Sequence, residues 1–561
     1  MTADYRAQAL ENPTAAIQEL YRAHASSPDF PRLVADHFSK LFESQNAFTK
    51  IPPLNVQHSP QSYRDRALVR FRAMVQDTSL STEMYLSKHD SGSCGGWGIY
   101  EPDDSSSSGA SGVDYANLQE CTVLWATTVP AESDWCREEL DGHSAGAIQS
   151  PSPVPPASSR AHKYPHPERE HFGVQIKIYE RDNVESFKAS DVVTFVGIIS
   201  SEPYGLDQTR EEAADAPTLH VLFTKPHTPH VLPRPFPRIV RQSQDGITSV
   251  SSELSPRLAD DTAQIREELI AWIADEALGG DHQAAEWVLL SCISRVQART
   301  PPLLPSPLVV SRFPPPPPVP STSPSATSPL PTLAAVLNLL LPLSHSLSLS
   351  LDSLNKSNFT PESKDEDLHA GVLQLPQGTV LLVSEGGICE GQLLERGVMN
   401  VRALQEVMDA QTLAYVFPFS QFSFPTDVAC VVLAEGRKSA FFRTELNVPL
   451  QTRTDSAAVA ALYKPADQIR MPPREKLYAF RDLVVGARCG KVVVPQETSE
   501  HIQTQFVSAR QGDRSVTADD LIRWMAVSKL YALSLHKPSL SVETWQRAKA
   551  FDDHRRALVT V

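Results

Sequence analysis

The sequence predicts a multidomain α/β protein, helical at both ends, with a small β-barrel and an α/β layer between. Three observations lead there. At 561 residues the chain is too long for one hydrophobic core, and about 100–200 residues per domain implies several units. Its apolar residues change period along the chain, from helical spacing to two-residue alternation and back. Its 46 prolines against 24 glycines cluster instead of spreading, so parts of the chain serve as spacers.

Composition narrows the function classes. The formal charge is −15. Backbone-driven DNA binding neutralises phosphates with Lys and Arg, so the acidic balance points to protein partners, basic ones above all. The seven cysteines (Cys94, Cys121, Cys136, Cys292, Cys389, Cys430, Cys489) are odd in number and never form a CxxC pair. Neither a disulfide framework nor a zinc knuckle is expected, and a reducing compartment fits. The N-terminal MTADYRAQALENP lacks a basic region followed by an apolar run, so no secretory signal is expected. The longest apolar stretch, Leu330 to Leu343, is broken by Pro331, Asn338 and Pro342. A membrane span needs about 20 residues, so a soluble intracellular protein with no membrane partner is expected.

Residues 1–60 read as an N-terminal helical region. Ala15, Ile17, Leu20 and Tyr21, then Leu33, Val34, Phe38, Leu41 and Phe42, recur at helical spacing. Residues 61–145 and 173–235 read as the two parts of one β domain, with a Pro/Ser-rich linker over 146–172. Its strands are Leu68–Asp77, Cys121–Pro130, Val174–Glu180, Phe187–Ser200 and Leu219–Phe223. Five short strands with one insertion suit a barrel of the OB type, although any small antiparallel sheet fits the pattern equally.

Residues 236–300 read as a helical region. Ile265, Leu269, Ile270 and Ile273 face one way, Gly279-Gly280 stop that helix, and Asp281 caps the next. Residues 301–332 read as a Pro-rich disordered insertion, in which a strand at Leu308–Phe313 precedes the proline tract. The run Pro314–Pro331 is extended and cannot pack a core. Residues 333–450 form an α/β core, including a helix at Leu333–Leu341 and a strand alternating Leu347, Leu349 and Leu351. Residues 451–561 end in helices capped by Thr517 and Ser541, with Leu540 stapled to Trp545.

Several motifs resemble active sites without their context. Gly142-His143-Ser144-Ala145-Gly146 matches a hydrolase elbow, but a charged helix-like stretch precedes it and a proline-rich stretch follows, where strand and helix are required. Gly386 and Gly391 have phosphate-loop spacing, yet Gln392-Leu393 stand where Lys-Ser/Thr is needed. Gly490-Lys491 lacks the first glycine. His220, His227 and His230 lie among prolines and read as scattered loop residues.

One stretch is specific. AGVLQLPQGTVLLVSEGGICEGQL (Ala370–Leu393) resembles the Walker B region of MCM helicases. Asn400–Arg437 resembles the helix, hairpin and sensor strand that follow it, and Thr517–Phe551 is similar to the two lid helices. The resemblance implies a degenerate AAA+ (MCM-like) α/β core with a C-terminal helical lid. Leu308–Phe313 then stands where a strand leads into the phosphate loop, but the proline tract replaces the glycine loop and its lysine. Ser384 replaces the Mg²⁺-organising aspartate, Glu385 keeps the water-polarising glutamate, and Glu435 occupies the sensor asparagine position. The lid arginine is absent near Thr517–Leu521, with Arg523 close by. No catalytic, cofactor-binding or metal-binding residue is therefore expected, and no cofactor.

FRAMVQD (Phe71–Asp77), TVPAESDW (Thr128–Trp135), Ile176–Ser200, LGGDHQAAEWVLL (Leu278–Leu290), GVLQLPQGTVLLVSE and SVTADDL (Ser515–Leu521) occur in order. On these landmarks the chain is identified as a member of the MCM complex-binding protein family. That resemblance implies a nuclear, non-enzymatic protein that binds MCM helicase subunits. It also implies release or disassembly of the MCM complex from replicated chromatin, escort of MCM subunits, and a role in sister-chromatid cohesion. Chromatin association is indirect on this reading, with no small-molecule substrate and no direct nucleic-acid binding. The alternative is an OB-fold replication factor that binds single-stranded DNA; Arg70, Arg72, Lys177 and Lys188 are its candidate contacts.

Overall fold

The computed structural model describes residues 2–24, 27, 29–100, 115–141, 160–180, 187–204, 215–227, 232–238, 256–300, 302–317, 329–388, 390–453 and 455–560. The Ser144 motif and His230 lie outside them. The fold is mixed α/β, with helices at both ends and several sheets between. Helices of eight or more residues are numbered here.

Helices α1 (Thr2–Glu11), α2 (Pro13–His24) and α3 (Phe30–Leu41) open the chain. Asp29 caps α3 by accepting the Arg32 N–H at 3.3 Å, and Pro31 sits in its first turn, where a missing N–H costs nothing. Phe30, Val34 and Phe38 of α3 and Ile17 of α2 pack with Leu68, Val196, Ile198 and Leu222 from the outside of a barrel.

That barrel consists of β1 (Leu68–Asp77), β2 (Leu118–Thr128), β3 (Gly173–Ile178), β4 (Val192–Pro203) and β5 (Asp215–Pro226). The strands close in the cycle β1–β2–β3–β5–β4–β1, and all pairs are antiparallel except β3–β5. Alternation does the sorting, because successive side chains of a strand point to opposite faces. Val69, Phe71, Ala73 and Val75 share one core with Val174, Ile176, Phe195 and Leu219, while Leu68 turns outward to the helices.

After α4 (Asp134–Asp141), α5 (Pro256–Ala277) and α6 (His282–Ile293) come the strands of a second core. Gly279 and Gly280 turn the chain at φ +62° and +87°, and Asp281 accepts the Ala284 N–H at 3.0 Å to start α6. Next are β6 (Leu308–Ser311), α7 (Thr332–Leu340) and β7 (Ser344–Ser348). A hairpin of β8 (Glu362–Lys364) and β9 (Asp367–His369) precedes β10 (Thr379–Ser384). After α8 (Glu395–Ala410), the hairpin β11 (Thr412–Phe417) and β12 (Ser420–Pro425) leads to β13 (Val428–Leu433) and β14 (Leu446–Pro449).

Strands β7, β10, β13, β6 and β14 lie side by side in that order, all parallel. A parallel sheet is covered on both faces, so its strands are continuous Val/Leu runs. Val310, Leu382 and Val431 meet the layer of α5, α6 and α7, and Val309, Leu381 and Val432 meet Leu404 and Val407 of α8. The C-terminal helices are α9 (Arg474–Cys489), α10 (Gln496–Gly512), α11 (Ala518–Ser534) and α12 (Val542–Thr560). Leu540 and Trp545 are both fully buried in one cluster, as the staple requires.

Two expectations are corrected. Leu351 does not continue a strand: β7 ends at Ser348, and Ser350 accepts the Ser353 N–H at 3.0 Å, so a local cap starts a short helix over Leu351–Lys356. Within the expected linker 146–172, residues 160–172 are a packed strap whose Lys163 is completely buried. The strand expected at Leu308–Phe313, inside the stretch 301–332, is present as β6, an interior strand of the parallel sheet, since Leu308-Val309-Val310 is apolar on both faces; residues 318–328 of that stretch lie outside the described residues.

Candidate functional site

In open parallel sheets ligands bind beyond the carboxyl ends of the strands, where neighbouring connections diverge. Here β6 has β13 on one side and β14 on the other. Ser384, Leu433 and Val310 stand in one row across β10, β13 and β6. The three strand ends that resemblance singled out therefore meet at one edge.

Backbone and side chains of the protein fill that edge. After β6, Arg312 adopts φ +57°, and its N–H and that of Phe313 donate to the carbonyls of Gly436 and Ala434, both at 2.9 Å. This turns the chain across the end of β13. The Pro314 carbonyl then accepts the Tyr463 O–H at 2.7 Å. A methyl group added at Gly386 would lie 3.0 Å from Pro316 Cδ and 3.6 Å from Pro315 Cα. The first prolines of the run thus lie on the turn that follows β10, close enough that a side chain at Gly386 would press on Pro316.

Ser384 is buried at the end of β10. The Glu385 carboxylate accepts the Ser439 O–H at 2.5 Å and the Ala440 N–H at 3.1 Å. Burial pushes this carboxyl above the usual range, partly offset by those donors. Its oxygens cap the turn after β13. Glu435 is exposed at the end of that strand. Arg523 is committed within the C-terminal helices, to Asp520 at 2.6 Å and Asp552 at 3.1 Å. Gly391 packs against Leu351 on a loop before α8, and Asn355 Nδ2 donates to the Gln392 carbonyl at 3.0 Å.

The remaining motif residues are dispersed. His220 is bonded to the Tyr179 hydroxyl at 2.7 Å and Ser200 at 3.0 Å, and pairs with Glu202 at 2.9 Å. His227 binds Thr194 at 2.6 Å on β4. Among the basic strand residues, Arg72 pairs with Glu132, Arg70 with Asp141, and Lys177 with both Glu83 and Glu202 at 2.6 Å. Lys188 alone of these four is exposed.

A second convergence was not visible in the sequence. Segment 128–135 docks the barrel onto the α/β core. The Ala131 carbonyl accepts the Ser344 N–H at 2.8 Å, the Ser133 N–H donates to the Pro342 carbonyl at 2.9 Å, and Trp135 Nε1 donates to the Asn338 carbonyl at 3.1 Å. Ala131 takes φ +61° to do so. Gln374 Nε2 donates to the Gln76 carbonyl at 2.8 Å, across the same junction. Three landmark segments, Phe71–Asp77, Thr128–Trp135 and Gly371–Glu385, therefore meet between barrel and core.

A family model described as mini-chromosome maintenance replisome factor matches residues 38–159 and 143–559. The chain belongs to this family. Curated relatives named mini-chromosome maintenance complex-binding protein agree with it along nearly the whole length. The Salmo salar protein is 25% identical, covering 98% of this chain and 97% of its own. The Drosophila melanogaster protein is 27% identical over 92% and 93%, and that of Arabidopsis thaliana 25% over 91% of each.

Proposed function

We propose that this chain is a non-catalytic MCM-binding replication protein, built as an OB-like barrel joined to a degenerate AAA+ core. The observation that carries the reading is Pro315 and Pro316, at the start of the proline run, seated on Gly386 beside Glu385. Catalysis of phosphoryl transfer rests on a backbone cradle, a lysine and a metal positioned around the phosphates. Here the cradle's place is taken by prolines, which have no N–H to offer. The Glu385 carboxyl is spent on a turn. The barrel's cyclic order, with one parallel pair, supports the OB-like assignment. The adjacency of β10, β13 and β6 supports the AAA+ one.

A subunit mimic of this kind keeps the packing frame and dispenses with hydrolysis. Interface energy sits in a few buried anchors, so competing for a neighbour's face needs no nucleotide. Release of the MCM complex from replicated chromatin, escort of MCM subunits and support of cohesion follow as the roles we assign, in the nucleus and with chromatin contact through MCM. The names carried by the relatives support this partner. Ion pairing of Arg70, Arg72 and Lys177 within the fold weighs against the single-stranded DNA reading, whose basic groups must be free to meet phosphates.

The test is affinity capture from nuclear extract with the purified chain, with and without ATP. MCM subunits are expected in equal yield in both. Micromolar ATP binding by the purified chain, or capture that requires ATP, overturns the proposal.

A further inference from the structure

We propose that the strap over residues 160–171 is a releasable latch that holds the barrel against the α/β core, clasped by an acidic hairpin tip. This does not depend on the function proposed above. The strap is basic where it crosses the junction, with Arg160, His162 and Lys163. The β8–β9 hairpin facing it is acidic, with Asp365, Glu366 and Asp367. Asp367 gathers Lys163 at 2.5 Å, His162 at 2.9 Å, Tyr204 O–H at 3.3 Å and Arg160 at 3.7 Å. Lys163 also reaches Asp77 of β1 at 2.8 Å. One ammonium therefore ties barrel to core, and the Ala370 N–H donates to the His162 carbonyl at 2.8 Å beside it.

Two further observations mark this clasp as a device that opens. Asp365 and Glu366 turn the hairpin at φ +50° and +63°. Asp suits the first of these positions, but the second favours Gly, so Glu366 strains the tip that presents Asp367. The junction also concentrates buried polar atoms that make no hydrogen bond to the protein: Gln76 Oε1, Arg160 Nε, His166 Nε2 and His345 Nδ1. Such atoms make a closed interface costly. Val129, Val192, Leu232 and Leu343 form a separate apolar cluster that joins barrel and core and does not depend on the clasp.

The latch also responds to acid. His166 of the strap stacks on His345 of β7, ring centroids 3.6 Å apart, and both are buried. Burial holds His166 down to about 3 and His345 well below the usual range. The charged groups facing these rings are Glu168 and Arg169 of the strap; the titratable and charged groups at the clasp are Asp77, Arg160, His162, Lys163, Lys364, Asp367 and His369. Opening exposes rings that titrate near about 6.5. The open form takes up protons below that pH and the closed form does not, so acid favours opening by up to about tenfold per ring per pH unit.

Hydrogen exchange on the full chain tests this, with rates normalised for intrinsic exchange. Strap amides are expected to exchange at least tenfold faster at pH 5.5 than at 7.5, while β10 and β13 do not change. The double variant His166→Phe/His345→Phe is expected to remove that difference, and Asp367→Asn to open the strap at pH 7.5. Equal strap protection at both pH values in the unaltered chain overturns the proposal. So does an acid response shared equally by β10 and β13, because that is global unfolding and not a latch.

Discussion

Glu385 illustrates how burial changes what a side chain is for. Its carboxyl is raised by desolvation and bonded to Ser439 and Ala440. A neutral amide of the same shape keeps one accepting oxygen for the Ala440 N–H, while its NH2 must donate to Ser439 Oγ in place of the bond it replaces. Glu385→Gln is expected to leave MCM capture unchanged and to shift unfolding by less than about 1 kcal/mol, within the net worth of one hydrogen bond; loss of capture counts against a vestigial role. Arg72 is the opposite case. Its ion pair with Glu132 has both side chains 8% exposed. Arg72→Met strands that carboxylate, and denaturant unfolding should show a loss of about 3–5 kcal/mol. Replacing both partners with apolar residues is expected to recover most of it.

At the level of elements, backbone geometry leads. Gly279 sits at φ +62°, and an added methyl would meet Thr452 Oγ1 at 2.2 Å. Gly279→Ala combines strain with a clash, so it should cost more than the 1–2 kcal/mol of a left-handed residue alone, read as a lower melting temperature. These elements were also the legible part of the chain. The Asp281 cap, the Gly-Gly stop, the barrel strands and the Leu540–Trp545 staple follow from local residues whose preferences agree with their tertiary setting. What could not be read is long-range. Lys163 looks like part of a spacer in SSRAHKYPHP, because its partners Asp77 and Asp367 lie 86 and 204 residues away. Pro315 and Pro316 read as part of a solvated loop because nothing local reveals that Gly386 receives them. Alternation at Leu347, Leu349 and Leu351 misled for the reverse reason: the Ser350 cap is local, but period outweighed it.

Over the whole molecule, several neutral histidines set the response to acid. Burial lowers His227 and His536 to about 4 and His166 to about 3, all below the about 6.5 of an unfolded chain. Each contributes stability that is complete above that pH and falls away toward its folded value, because the unfolded chain binds the extra proton. Asp367 and Glu202 are held low by their cationic partners, so their stabilisation is lost only below about 4. Melting temperature should therefore begin to drop just under pH 6.5, well before carboxylates titrate. A curve flat down to pH 4.5 would show that these rings are solvated.

The contact between Pro315, Pro316 and Gly386 also has a kinetic meaning. A segment tethered beside its own docking place is present at a fixed, high local concentration, of millimolar order for short tethers. Dilution, nucleotide depletion or a changing ATP-to-ADP ratio leaves that concentration untouched. A soluble molecule competing for the same turn must displace a segment that never diffuses away.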